Sequence, residues 1–143
     1  MNRRLHVPVL ALAVVLGVLA TPAVAAAPTT AWQGTSSVFG VTITVYGYAS
    51  SKIKVVATPT CDTTALRTTA IGRLSTTGRF SITAATTTSK AYKPIDVVVP
   101  GRVTKAMVTG SYRVRYQRTN AASSCSYGPD PFVAKRLARV PSR

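Results

Sequence analysis

One histidine, three aspartates and no glutamate stand against 18 lysines and arginines in this sequence. That inventory limits the chemistry before any fold is considered. A Ser-His-Asp or Cys-His arrangement needs an imidazole to shuttle the proton, and the one histidine, His6, lies in an N-terminal leader described below. Glycoside hydrolysis needs two carboxyl groups flanking one bond. Asp62, Asp96 and Asp130 are 34 or more residues apart in sequence. A strongly positive surrounding would lower their pKa values, which is poor tuning for a general acid. Neither G-x-S-x-G nor an S-x-x-K on a helical pattern occurs, and phosphate-loop and dinucleotide fingerprints are missing. We therefore expect a protein that is not an enzyme, with no cofactor and no metal site, since three acids in a cationic field make a poor divalent-ion cage.

Cys61 and Cys125 are the only cysteines. An even pair in a small exported domain predicts a disulfide between them. The two residues are 64 apart, and on the chain-entropy model closing such a loop stabilises the fold by roughly 4 kcal/mol.

Export is predicted by the first 25 residues. Arg3, Arg4 and His6 form a positive start, Val7 to Ala20 an apolar run, and Ala23-Val24-Ala25 a small-residue cleavage pattern. The run of 14 residues is shorter than the ~20 that a membrane-spanning helix needs. We expect a cleavable signal peptide over 1–25, a flexible lead-in over 26–37 that carries Trp32, and a single β domain over 38–143, secreted and without a transmembrane segment. Removing Arg3 and Arg4 lowers the net charge from +15 to +13 and takes away the only imidazole.

The elements that would carry the charges follow a period of two, the pattern of half-buried strands. Val41 to Tyr46 alternates apolar and polar residues. Lys52-Ile53-Lys54-Val55 places Ile53, Val55 and Ala57 on one face and both lysines on the other. Leu66 to Leu74, Arg79 to Thr83, Ile95 to Val99 (stopped by Pro100-Gly101), Val103 to Val108 and Tyr112 to Arg118 continue the series, with turn signals between them. From Asp130 the C-terminus suits either a helix opened by Asp-Pro or a closing strand paired with Tyr112–Arg118, and the strand fits an all-β domain better. Seven or eight short antiparallel strands with one disulfide predict an immunoglobulin-like β-sandwich, with a closed β-barrel as the alternative.

On this pattern Lys52 and Lys54, Arg67 and Arg73, and Arg113 and Arg115 each share an outward face, and Lys135, Arg136 and Arg139 load the C-terminus. These nine are the candidate anion-binding residues. Solvent-facing cations also keep strand edges apart and proteins soluble, but solubility does not require near-exclusion of acids. The expected role is a non-catalytic binding module for an anionic extracellular partner such as a cell-envelope polymer, an acidic glycan or an acidic protein. Nucleic acid is less favoured, because alternation puts Tyr112 and Tyr116 on the face opposite Arg113 and Arg115. Tyr46 and Tyr48 are the better candidates for an exposed aromatic platform. The alternative role is a small secreted antagonist, a proteinase inhibitor or cationic antibacterial protein, using a disulfide-braced loop at Pro59–Thr64 or Asn120–Tyr127.

Overall fold

The computed structural model describes residues 25–141, so the signal peptide expected over 1–25 lies outside the described residues except for Ala25. Eleven strands and no helix follow one another: β1 (Thr30–Ser36), β2 (Thr42–Gly47), β3 (Lys52–Ala57), β4 (Thr60–Cys61), β5 (Thr64–Ala65), β6 (Thr68–Arg73), β7 (Arg79–Ile82), β8 (Ala85–Thr87), β9 (Tyr92–Val103), β10 (Met107–Arg118) and β11 (Ser124–Arg136). Nine of them make one antiparallel sheet in the order β7-β9-β10-β11-β1-β2-β3-β6-β8, and β4 and β5 form a separate ribbon.

The sheet curls until its ends approach, with Ile82 of β7 packed against Gly72 of β6. No ladder joins the two ends, since β7 and β8 are both edge strands. The closed-barrel alternative is thereby corrected. Inside the curl, the apolar members of each alternating strand meet: Ile43 and Val45, Ile53 and Val55, Phe80 and Ile82, Val97 and Val99, Val108 and Val114, Phe132 and Ala134. Burying one such side chain contributes about 1.5–3 kcal/mol. Thr68 of β6 reaches Tyr116 of β10 across this interior, with 2.6 Å between the two hydroxyls. Tyr116 in turn bonds the hydroxyl of Tyr112.

Three expectations change. Most of the lead-in expected over 26–37 is instead β1, at Thr30–Ser36, which stands at the centre of the sheet between β11 and β2. Its Ala-, Thr- and Ser-rich composition has weak strand character, and the two flanking ladders supply what the local sequence lacks. Gly34 lets β11 come close, because a Cβ there would lie 2.0 Å from the Val133 carbonyl oxygen. Trp32 is accordingly a buried inward residue of the core, not part of a lead-in. Second, β9 does not stop at Pro100-Gly101. Proline has no N–H to give a ladder, and the pairing of β9 with β10 passes from Gly101 to Val98 without using Pro100. Third, the C-terminal segment is a strand paired with β10, as expected, but it begins earlier than Asp130, pairing Ser124 with Gln117 and Cys125 with Tyr116.

Candidate functional site

Strand direction gives the sheet two distinct ends. At one, β9 begins, β10 ends, and the β4–β5 ribbon folds over β11. Cys61 and Cys125 are bonded there, with Cα atoms 5.9 Å apart. The Tyr127 hydroxyl accepts from the Thr60 N–H at 3.2 Å and donates to the Thr60 carbonyl, and its ring meets Phe39 edge-on at 5.3 Å. Tyr92 donates to the Asp62 carboxylate, a bond that, helped by burial, raises the phenol pKa. Toward the middle of the sheet Asp130 is fully buried and accepts from the backbone N–H groups of Val38 at 2.8 Å and Phe39 at 3.0 Å. Burial alone would raise its pKa. The Ser36 hydroxyl and the backbone N–H groups of Val38, Phe39 and Ser37 outweigh that and hold it below the ordinary carboxylate range.

The opposite end gathers the β2–β3, β6–β7 and β9–β10 turns and the last residues of β11. Antiparallel pairing sets the first residue of one strand beside the last of its neighbour. Here that rule brings cations together: Lys52 opens β3 opposite Arg73, which closes β6, and Arg79 opens β7 opposite Arg102 near the end of β9. Lys105 lies in the turn after β9, Lys135 and Arg136 end β11, and Arg139 follows in the tail. None of the three aspartates is at this end. Asp62 lies on the ribbon, Asp96 opposite Arg115, and Asp130 opposite Tyr112.

The β6–β7 turn fixes the second cation pair. Ser75 caps it through its hydroxyl, which accepts from the Arg79 N–H at 3.0 Å, while the Gly78 carbonyl accepts from Val103 N–H at 2.8 Å. Gly78 has φ +74°, a region that L side chains enter only with strain. Beside this turn runs an open groove of about 890 Å³, lined by residues 73–75, 79–81, 100–102 and 109–111. A smaller hollow of about 400 Å³ contains Lys52 and shares Arg73 with the groove.

Of the nine sequence candidates, Lys52, Arg73, Lys135, Arg136 and Arg139 fall at the acid-free end. Arg67 precedes β6 at the disulfide end. Arg113 and Arg115 face outward from β10, and Arg113 is already paired with Asp96 at 3.4 Å. Lys54 lies two pairs further along β3, opposite Tyr46 and Ile71. The expected aromatic platform is covered: Lys54 sits 4.9 Å over the Tyr46 ring and Lys52 5.0 Å over Tyr48, and Tyr48 is buried. Arg79, Arg102 and Lys105 were missed. The alternation of Arg79-Phe80-Ser81-Ile82 does mark Arg79 as outward, but nothing local says that its partner is Arg102.

The interior hydroxyls of Tyr112 and Tyr116 bond to each other, and Tyr116 also bonds Thr68. Burial pushes both phenols up, so they stay protonated and serve the core. Among the described residues no group of three or more His, Cys, Asp or Glu side chains is placed to hold a metal ion, and no helix is long and apolar enough to cross a membrane. No family model, curated protein or solved structure matches the chain.

Proposed function

We propose that this protein is a secreted, non-catalytic binding module that engages an anionic extracellular partner through the acid-free end of its sheet. The observation that carries the reading is the pair of like-charged cross-strand neighbours, Lys52 with Arg73 and Arg79 with Arg102. Like charges directly opposite one another in a sheet are destabilising. Solubility is served as well by mixed signs, so a bound anion is the better account of cation pairs that none of the three aspartates neutralises. The disulfide is compatible with an oxidising, extracellular setting. The scaffold reads as an immunoglobulin-like sandwich, supported by the meeting of β6 and β10 side chains across the interior.

The test is binding of the purified protein to a teichoic acid, an acidic glycan and an acidic protein across a salt series. Affinity for at least one should fall steeply as salt rises. Binding that ignores salt, or no binding to any of them at low salt, would overturn the reading. The antagonist alternative draws on the other end, where the disulfide and the Tyr127–Thr60 bonds brace two loops. Inhibition of an extracellular protease by this protein, unaffected by neutralising Arg79 and Arg102, would favour it.

A further inference from the structure

We infer that the groove at the β6–β7 turn takes a non-aromatic acidic chain, a saccharide or polyol backbone bearing phosphodiester, sulfate or carboxylate groups, and not a nucleic acid. This rests on the polyanion reading above and deepens it. Arg73, Arg79 and Arg102 are among the residues that line the groove, and Arg79 and Arg102 are direct cross-strand neighbours. The planar guanidinium fork matches two oxygens of a phosphate, sulfate or carboxylate, which an ammonium group does not.

The pattern fits a polymer better than a single ion. Directly opposed residues have Cβ atoms about 4.5–5.5 Å apart, so each cross-strand pair offers one doubly charged station. The Lys52–Arg73 and Arg79–Arg102 pairs are two such stations, joined where Arg73 borders both hollows. A chain with repeated anionic groups can occupy both at once.

The rest of the lining decides against bases. Sequence-tolerant binding of single strands depends on aromatic faces on which bases stack. Phe80 is the only aromatic residue in the groove. It is buried, with its ring turned in against Gly101, so its face is not offered. The lining also includes the hydroxyl residues Ser81, Thr109 and Ser111, beside Leu74, Pro100 and Gly110. Hydroxyl groups that can donate and accept suit the hydroxyls and ether oxygens of a sugar or polyol backbone.

The experiment compares the disulfide-intact protein with two double variants, Arg79→Gln/Arg102→Gln in the groove and Arg113→Gln/Arg115→Gln on the outward face of β10. The probes are a glycerol-phosphate polymer, heparin, polygalacturonate, oligo(dT) and duplex DNA, each titrated at several salt concentrations. The groove variant should lose about tenfold or more in affinity for at least one of the first three, with a salt slope shallower by about two. The β10 variant should lose less than about threefold. The three acidic chains differ in anion type, so their ranking tells phosphodiester from sulfate and carboxylate. Melting temperature guards against misfolding: the free groove variant should melt no lower than the parent protein, and ligand should raise its melting point less. Salt-sensitive binding with equal losses in both variants would overturn the groove assignment while leaving the polyanion reading intact. Oligo(dT) or duplex DNA bound through the groove as tightly as the best acidic chain would overturn the ligand class. Failure of every probe to bind would overturn the groove proposal, while the polyanion reading falls only if an acidic protein also fails to bind at low salt.

Discussion

The two ends of this sheet are built on opposite economies. At the disulfide end, several side chains tie distant parts of the protein together: Cys61 with Cys125, Tyr127 with Thr60, Tyr92 with Asp62. At the other end, Lys52 is set opposite Arg73 and Arg79 opposite Arg102 across strands, and none of the three aspartates lies there. The contrast is produced by register. Each antiparallel hairpin sends the start of one strand to the end of the next, and among the described residues cations are set directly opposite one another at one end only: Lys93 and Arg118 at the disulfide end face Gln117 and Tyr92 instead.

The largest effect should come from cutting the cross-link. Cys61→Ser/Cys125→Ser frees a 64-residue separation and should lower unfolding stability by about 4 kcal/mol, measured as a shift of the denaturant midpoint. At a temperature where the variant stays folded, its affinity for an acidic polymer should match the parent's. A loss of affinity in the folded variant would mean that the two ends are coupled, and the comparison would fail.

Asp130 sharpens the same contrast through pH. Its folded pKa is depressed, so its contribution is present above the unfolded value of about 3.9 and is lost as pH falls through the lower folded value. Thermal stability should therefore drop as the solution is acidified below about pH 4. Asp130→Asn should flatten that part of the profile attributable to this group. At neutral pH the same substitution should cost about 2 kcal/mol, the order of a hydrogen bond to a charged group. The loss would fall on the exposed Val38-Phe39 loop that the carboxylate holds, and hydrogen exchange should show the N–H groups of Val38 and Phe39 opening first. Unchanged protection of those two amides would show that the loop is held by something else.

How far these features can be seen in the sequence depends on whether a signal is local. The strands around Ile43, Ile53 and Phe80 alternate cleanly, and their inward faces are the buried ones. The strand at 30–36 is hidden because its composition resembles a loop and its order comes from β11 and β2. Pro100-Gly101 looks like a stop, yet β9 passes through because the β10 ladder bypasses the proline. The cysteine pairing is legible from count and compartment. The site is only half legible: alternation says which cations face outward, but neighbourhood is a property of sheet order. Arg79 and Arg102 belong to segments separated by β8 and most of β9, so no window of sequence joins them. The pairing of Arg113 with Asp96, which takes that arginine partly out of contention, is equally non-local.

The smallest effect is the most telling, because the two regions should give opposite signs. Arg79→Gln removes one half of a like-charged cross-strand pair and should stabilise the free protein by about 0.2–1 kcal/mol at low salt. Arg113→Gln removes the partner of Asp96 in an exposed ion pair, where the expected change is a loss of about 0–1 kcal/mol. Salt separates electrostatics from packing. Both effects should shrink toward zero at about 1 M, where the Debye length is near 3 Å. A saturating acidic polymer should reverse the first sign, since Arg79 then has an anion to meet and its loss removes a favourable contact. Denaturant midpoints of the two variants at low salt, at high salt and with polymer give six values. Stabilisation by Arg79→Gln at low salt alone is the signature of a surface under uncompensated repulsion. If Arg79→Gln instead destabilises the free protein at every salt concentration, its aliphatic stem is packing the β7 edge, and the cationic end is held together much as the disulfide end is.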